Sequence, residues 1–234
     1  MEEKRYPAEK SAEIQKLLDT SLLVGLSPES LDRVTAHAVT LTHPANRAIL
    51  LENDWGGSVY FILDGWVKIC THNMEGKEVT LNILGKGEIV GEMAALDEST
   101  RSTDAITLTT ATISSIPAQD FVNLLKSEPL AGIRLSQLMA KRLRQLNRRL
   151  LLREADSLSR VADTLLFLAK GQGEKSGQGV IIPNLPHREL SSISGLARET
   201  VTRTLTKLQK KGLIQRRQEY LCIPDLAALE KAIT

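Results

Sequence analysis

Hydrophobic residues alternate with polar ones in the middle of the chain, and they recur every three or four positions on either side of it. From about residue 38 to 118, short apolar runs are separated by turns rich in Gly, Asn and Asp, such as Asn53–Gly57. Many short strands with glycine turns predict a compact antiparallel β-roll or barrel, because such turns need backbone with positive φ. The predicted strands are Ala48–Leu51, Val59–Leu63, Trp66–Cys70, Val79–Leu84 and one run from Ala105 to Ile116.

The segments that flank this region have helical spacing. Residues 10–35 predict two short helices around a turn, in which Ser27 caps the second helix and Pro28 occupies its first turn. Another helix is predicted to start at Pro117–Asp120. A long helix follows from about Leu130 to Ala155, and a further one runs from Asp156 to Lys170.

The long helix combines a narrow apolar stripe with a basic surround. Apolar residues repeat at intervals of three and four over several turns: Ile133, Leu135, Leu138, Met139, Leu143, Leu146, Leu150 and Leu151. Lys141, Arg142, Arg144, Arg148, Arg149 and Arg153 lie around them. This pattern is typical of a helix that pairs with a copy of itself, so we expect a dimer seam. The alternative is a helix packed in the core of one subunit.

Two short helices joined by a tight turn are predicted within residues 186–208. Leu190 and Ile193 give the first helix an apolar face, and Gly195 can adopt the positive φ that ends it. In the second helix, the inward stripe consists of Val201, Leu205 and Leu208, which leaves Arg198, Glu199, Thr202 and Arg203 outward. Long polar side chains at the start of a second helix are what a DNA recognition helix needs. An ordinary helical hairpin with a solvated charged face is the alternative.

The segments around this pair complete the pattern of a winged helix-turn-helix. Gly171–Gly179 is predicted to be a glycine-rich loop, and Val180–Ile182 a short strand. Gly212–Ile214 and Tyr220–Ile223 are predicted as the two strands of a wing hairpin, with Arg216 and Arg217 near its tip.

Composition and charge narrow the class of protein. The chain is 42% hydrophobic and 25% charged, and it has no apolar run of the ~18 residues that a membrane span requires. The charged first five residues do not fit a secretory signal, so we expect a cytoplasmic protein without a membrane partner. Residues 131–234 carry 19 Lys/Arg and 9 Asp/Glu, a net charge of +10, whereas residues 1–130 carry −8. A polyanion is therefore expected to meet the C-terminal half.

The sequence contains little that indicates a catalytic site or a metal site. Cys70 and Cys222 are expected to be reduced, buried thiols, and two cysteines cannot form a metal cage. No N-terminal cysteine cluster could hold an iron–sulfur centre, and Cys70 with His72 is a weak pattern for a haem ligand. His37, His43 and His187 have no ligand spacing, and no nucleophile with a positioned base stands out. We therefore expect no enzyme activity, no metal and no haem.

Residues 87–103 form the remaining motif, a Gly-Glu pair that opens a short helix and is followed by Arg101 and Ser102. This segment resembles the phosphate-binding cassette of cyclic-nucleotide-binding domains. Together with the roll, the long helix and the winged end, nearly the whole chain resembles the CRP/FNR family of bacterial transcription regulators, in particular its cyclic AMP receptor protein branch. Arg198-Glu199-Thr200-Val201 followed by Arg203 reproduces the recognition-helix motif of that branch.

The resemblance implies a ligand site. Arg101 would hold the cyclic phosphate with the backbone N–H groups at the helix start, and Ser102 would add a hydroxyl. Glu92 would accept a hydrogen bond from the ribose 2′-OH, and Gly91 would let the backbone come close. Met93 and Thr103 complete the set in the cassette, and Leu146 and Asn147 occupy the places that contact the base. A structural ion pair between Glu92 and Arg101 in an empty pocket is the alternative.

These residues do not decide which nucleotide is bound. Cyclic AMP is the expected effector, but Leu146 lacks the hydroxyl that the family uses against adenine. A different nucleotide, including cyclic di-GMP held by the arginines of the long helix, is the alternative.

The resemblance also implies a palindromic double-stranded DNA partner, read by a homodimer through two recognition helices about 34 Å apart. Arg198 and Arg203 would contact guanine, and Glu199 a cytosine amino group. His187, Arg188 and the basic wing would contact phosphate. Ala197, Thr200 and Thr202 complete the predicted DNA-binding set, and RNA polymerase is a further expected partner.

The expected fold is α+β, with a jelly-roll-like antiparallel β-roll that binds a cyclic nucleotide in residues 1–128. A long dimerisation helix follows in residues 129–156, and a winged helix-turn-helix in residues 157–234. Nucleotide binding is expected to reorient the winged domains through the long helix by favouring the DNA-competent state. The alternatives are a signalling module with a vestigial DNA end and a regulator that acts without a ligand.

Overall fold

Eight strands between Val39 and Pro117 form two four-stranded sheets in the computed structural model, which describes residues 8–233. The strands are β1 (Val39–His43), β2 (Ala48–Leu50), β3 (Ser58–Asp64), β4 (Val67–His72), β5 (Glu78–Leu84), β6 (Ile89–Val90), β7 (Asp104–Thr107) and β8 (Ala111–Pro117). One sheet has the order β1–β8–β3–β6 and the other β2–β7–β4–β5. The pairs β1–β8, β3–β8, β3–β6, β2–β7 and β4–β7 run antiparallel. The predicted antiparallel roll is confirmed.

One predicted strand is in fact two. The run from Ala105 to Ile116 divides into β7 and β8, which belong to different sheets. Between them the chain turns, and the N–H of Leu108 donates to the carbonyl of Trp66. The turn contains neither Gly nor Pro, so the sequence pattern did not reveal it.

Helices pack on the roll through one apolar core. They are α1 (Ala8–Leu18), α2 (Pro28–Ala36), α4 (Ala118–Ser127) and the first part of α5 (Pro129–Leu151), with the short α3 (Glu92–Asp97) between β6 and β7. Phe61 of β3 and Phe121 of α4 are fully buried and meet edge to face, with ring centroids 6.4 Å apart. Leu22 and Leu23 lie in the turn after α1, and they are buried in the same core.

Capping residues set two helix starts. Ser27 caps α2 by accepting a hydrogen bond from the N–H of Ser30, with Pro28 as the first helical residue, as predicted. Asp156 caps α6 (Ser157–Gln172) and accepts from the N–H of Ser159 at 2.7 Å. A cap needs extended backbone, and the chain turns extended already at Ala155. The long helix therefore ends at Leu151, followed by a 3₁₀ turn, rather than at Ala155 as predicted.

The C-terminal part is a winged helix-turn-helix. Its further helices are α7 (His187–Ser194), α8 (Arg198–Lys210) and α9 (Leu226–Glu230). Its sheet has the order β11–β12–β10–β9, with β9 (Glu174–Ser176), β10 (Gly179–Pro183), β11 (Gln215–Arg216) and β12 (Tyr220–Ile223). The predicted loop 171–179 is wrong in part, because α6 continues to Gln172 and β9 pairs with β10.

The first wing strand was predicted at Gly212–Ile214, and that prediction is wrong. Gly212, with φ 70°, closes α8. Its N–H donates to the carbonyl of Gln209, and the N–H of Leu213 donates to that of Leu208, the hydrogen bonds of a Schellman motif. Ile214 is buried, and the strand begins only at Gln215.

Contacts group the described residues into two units. The first unit contains the residues up to Thr71 together with Leu84–Lys141, and the second contains His72–Ile83 together with the residues from Arg142 onward. The domain boundaries expected from the sequence, after residues 128 and 156, stay predictions. Among the described residues, no helix combines the length and the apolar character that crossing a bilayer requires.

Gly65 is expected to tolerate a side chain less well than Gly87, although both have left-handed backbone, with φ of 82° and 84°. A Cβ on Gly65 would lie 2.6 Å from the Cα of Ala111, whereas a Cβ on Gly87 would meet no atom within 4 Å. Gly87→Ala should lower the free energy of unfolding by about 1–2 kcal/mol, the cost of left-handed backbone alone. Gly65→Ala should cost ~1–3 kcal/mol more through overpacking. Urea unfolding followed by circular dichroism measures both, and equal losses would contradict this account.

Candidate functional site

The predicted cassette begins where β6 meets α3. Gly91 caps α3 in left-handed conformation, with φ 86° and ψ 4°. A Cβ at this position would lie 2.5 Å from Nη1 of Arg101 and 3.2 Å from the carbonyl oxygen of Ser58. Glycine is thus required here for its backbone conformation and also for the space that it leaves to the arginine.

The guanidinium of Arg101 is buried and held by backbone carbonyl groups. Its Nη1 donates to the carbonyl of Gly91 at 2.7 Å, and its Nη2 to that of Ser58 at 2.5 Å. The backbone of Arg101 is anchored as well, because its N–H donates to Asp54 and its carbonyl accepts from Asn53. Only 4% of the residue is exposed, so the position of the positive charge is well defined.

Two neighbours act on this charge. Burial lowers the pKa of Arg101, whereas the electrostatic interactions with Tyr60 and Glu92 raise it. The carbon of the guanidinium lies 5.9 Å from the ring centroid of Tyr60. Glu92, the first residue of α3, is only 3% exposed. A buried cation loses hydration, and an anion bound beside it would offset that loss.

The predicted ligand residues are partly brought together. Gly91, Glu92 and Arg101 converge within the cassette, while the neighbouring Met93 and Ser102 are exposed and Thr103 is half-buried. Leu146 and Asn147 are exposed on α5 and belong to the second unit. Their roles in ligand binding, like those of the cassette residues, stay predictions.

Three further residues, which no sequence motif singled out, shape this site: Gly56, Ser58 and Tyr60. A Cβ on Gly56 would overlap the guanidinium of Arg101. The Gly56–Gly57 pair was a visible signal, but it was interpreted only as a turn. Ser58 contributes its carbonyl, which any residue type could supply, so its side chain gave no signal.

The helix-turn-helix is built as predicted. Gly195 ends α7 with φ 64°, and Arg160 of α6 donates to the carbonyls of Ser194 and Gly195 at 2.7 and 3.0 Å. Ser191 Oγ donates to the carbonyl of Leu196 at 2.6 Å, which fixes the turn. The predicted apolar stripes are buried: Leu190, Ile193, Val201, Leu205 and Leu208.

The start of α8 presents polar side chains to solvent. Arg198, Glu199, Thr202 and Arg203 are exposed, as is the N-cap residue Ala197, and Thr200 is half-buried. Nη2 of Arg203 lies 3.4 Å from Oγ1 of Thr200. This face can offer guanidinium, carboxylate and hydroxyl groups to a partner.

His187 and Arg188 open α7 next to this face. Nδ1 of His187 lies 2.7 Å from Oγ1 of Thr202, and Arg188 pairs with the buried Glu189 at 3.0 Å. Burial lowers the pKa of His187, and the positive charges of Arg216 and Arg198 lower it further. Positive potential therefore converges on the start of α7, the start of α8 and the wing.

Metal and thiol chemistry add nothing to this picture. Within residues 8–233, no group of three or more His, Cys, Asp or Glu side chains is placed to hold a metal ion. Cys70 and Cys222 are buried and are not linked by a disulfide, as expected from the sequence.

Comparison with known proteins identifies two family domains in this chain, one around the cassette and one around the helix-turn-helix. Residues 40–128 match the family model of the cyclic nucleotide-binding domain, and residues 159–232 match the Crp-like helix-turn-helix domain. The cyclic AMP receptor protein of Thermus thermophilus is 31% identical over 90% of this chain and 95% of its own length. A CRP-like cAMP-activated global transcriptional regulator of Mycobacterium tuberculosis is 27% identical over 92% of this chain and 97% of its own.

Among solved structures, the chain is similar to the c-di-GMP responsive global regulator CLP of Xanthomonas campestris. The TM-score is 0.68 and the sequence identity 25%, and the match covers 85% of this chain and all of that one.

Gly56→Ala is expected to weaken binding of a cyclic nucleotide at least about tenfold, because the new methyl group would displace the guanidinium of Arg101 and cost an ionic hydrogen bond. Gly57→Ala is the matched control, since a Cβ there would meet no atom within 4 Å. Isothermal titration calorimetry measures both affinities. Unchanged binding by Gly56→Ala, or an equal loss in both variants, would contradict the role given to the space around Arg101.

Proposed function

Because the chain belongs to the CRP/FNR family of bacterial transcription regulators, we propose that it is a homodimer that binds cyclic AMP in the cassette and a palindromic DNA site through α8. As a member of this family, it is a cyclic-nucleotide-binding, DNA-binding transcription regulator and not an enzyme. The proposal adds the identity of the ligand, the residues that bind it, the oligomeric state and the residues that read DNA.

The ligand assignment is carried by one observation, the buried guanidinium of Arg101 between Gly56 and Gly91 with the carboxylate of Glu92 close by. The two hydrogen bonds to the carbonyls of Gly91 and Ser58 use only part of the five N–H groups that an arginine offers. The remaining donors can bind a cyclic phosphate, and the carboxylate can accept a hydrogen bond from a ribose hydroxyl. Both curated relatives described above carry cyclic AMP in their names.

Cyclic di-GMP is the second candidate, and two observations favour it. The similar CLP of Xanthomonas campestris is described as responsive to this dinucleotide. In addition, the exposed Leu146 offers no hydroxyl to an adenine base.

The homodimer is supported by the exposed apolar residues of α5. Ile133, Leu143, Leu146, Leu150 and Leu151 are between 44 and 81% exposed. Leu143, Leu146 and Leu150 follow one another at intervals of three and four residues, the spacing of a coiled-coil seam. A second copy of α5 would bury them.

DNA reading is supported by the exposed side chains at the start of α8. We assign guanine contacts to Arg198 and Arg203 and a cytosine contact to Glu199. Phosphate contacts are assigned to His187 and Arg188 at the start of α7 and to Arg216 and Arg217 of the wing. Contact with RNA polymerase stays a prediction.

Calorimetric titration with cyclic AMP, cyclic GMP and cyclic di-GMP tests the ligand. Cyclic AMP is expected to bind most tightly, with one molecule per chain. Arg101→Ala should abolish this binding, because the phosphate would lose its cationic partner. Tighter binding of cyclic di-GMP would establish the second candidate. DNA binding without affinity for any of the three would indicate a regulator that acts without a nucleotide.

Arg198→Ala is expected to reduce the preference for a palindromic site over random DNA by about tenfold or more, since a bidentate guanine contact contributes ~1–3 kcal/mol of discrimination. Fluorescence anisotropy with both duplexes at fixed salt measures the ratio, and the stoichiometry should be two chains per palindrome.

Lys210→Ala, at the exposed opposite end of α8, is the control for this prediction. It should weaken binding to the two duplexes equally or not at all, because a phosphate contact carries no sequence information. If Arg198→Ala behaved in the same way, its role in reading bases would be wrong.

A further inference from the structure

The imidazole of His187 is tied to the recognition helix by a short chain of hydrogen bonds. Its Nδ1 lies 2.7 Å from Oγ1 of Thr202. The same hydroxyl lies 3.0 Å from the carbonyl oxygen of Arg198, one turn earlier in α8. His187 is the first residue of α7, so this chain joins the starts of the two helices.

The direction of these hydrogen bonds fixes the tautomer of the ring. A carbonyl oxygen can only accept, so the Thr202 hydroxyl must donate its single proton to Arg198. The lone pairs of the hydroxyl oxygen are then left for Nδ1 of His187, which must carry a proton in order to donate. In a neutral imidazole with its proton on Nδ1, the other ring nitrogen, Nε2, is an acceptor.

This tautomer is unsuited to a DNA phosphate, whose oxygens are acceptors themselves. A second proton on Nε2 would turn that atom into a charged donor while the hydrogen bond from Nδ1 to Thr202 persists. We propose that His187 contacts a DNA phosphate only as the imidazolium, so that each chain takes up one proton when it binds DNA. The inference rests on the proposed function in one respect, the placement of His187 beside a phosphate.

The surroundings of the ring disfavour the imidazolium in the free protein. The charged groups that act on it are Arg198 of α8 and Arg216 of β11, and burial and these two cations lower its pKa. Its own helix adds Arg188 and Glu189, which pair with each other. From α6, Arg160 is engaged with the carbonyls at the far end of α7. A phosphate would place a negative charge beside the ring and raise its pKa in the complex.

The sign of the pH dependence follows from this difference. A group whose pKa is low in the free protein and higher in the complex binds a proton on association, so DNA affinity rises as the pH falls between the two values. Each histidine that does so changes the association constant by up to about tenfold per pH unit. A dimer with two His187 residues would reach twice that slope on a logarithmic scale.

The first test is the affinity for a palindromic duplex between about pH 6 and pH 8.5 at fixed salt. The wild-type protein should bind more tightly toward low pH. His187→Arg, which is always charged, should bind at pH 8.5 as tightly as the wild type does at pH 6, and it should lose most of the slope. His43→Gln, in β1 of the roll, is the control and should keep the slope.

A second pair of variants tests the tautomer itself. Thr202→Val removes the acceptor for Nδ1 and frees the ring to carry its proton on Nε2, so the neutral histidine could donate to phosphate. The slope should therefore shrink, while Thr202→Ser should restore it. A merely structural role of Thr202 would change the affinity at every pH by the same factor.

The outcomes separate this inference from the proposed function. Absence of binding to any palindromic duplex at every pH would overturn the proposed function. Tight binding with the same slope in the wild type and in His187→Arg would overturn the inference and leave the function standing. The nitrogen chemical shifts of His187 in the free protein at pH 8 should show the proton on Nδ1, and a proton on Nε2 would overturn it as well.

Discussion

The first unit is arranged around a buried positive charge. Arg101 has only 4% of its surface exposed, and its guanidinium donates hydrogen bonds to the carbonyls of Gly91 and Ser58. Such a charge is costly to bury unless its environment is polar and precisely packed. The two glycines beside it provide the space, the paired backbone of residues 53–55 and 100–101 provides the anchor, and Glu92 provides an opposite charge. This arrangement supports the proposal that the cassette binds an anion and that Glu92 accepts a hydrogen bond from a sugar hydroxyl.

In the second unit, a firmly packed helix, α8, presents polar side chains to solvent. Leu205 and Leu208 anchor the buried face of α8, and Arg160 donates a hydrogen bond to the turn that precedes this helix. The N-terminal face of α8 is left exposed, and His187 of α7 contacts it through Thr202. A helix whose buried face is held in place and whose opposite face is exposed can present a few side chains that discriminate between bases.

Much of this was predictable because the signals are local. Local signals correctly predicted the N-cap of α2 at Ser27 with Pro28, the end of α7 at Gly195, and the buried face of α8 from its leucine spacing. One error was local: Gly212 ends α8 through the hydrogen bonds of a Schellman motif, but it was interpreted as a strand residue. The other omissions depend on tertiary pairing, because the break between β7 and β8 has no turn residue and Gly56 matters only through its packing against Arg101. The hydrogen bond from His187 to Thr202 also joins two helices, so no spacing along the chain could reveal it.

We propose that a nucleotide bound at Arg101 changes the affinity of α8 for DNA, and reciprocal titrations test this coupling most directly. Saturating cyclic AMP should raise the affinity for a palindromic duplex by about 5- to 150-fold, the usual range of allosteric coupling. The duplex should raise the affinity for cyclic AMP by the same factor, since the two couplings are thermodynamically identical. If the protein binds both partners and neither affinity depends on the other, the account is contradicted.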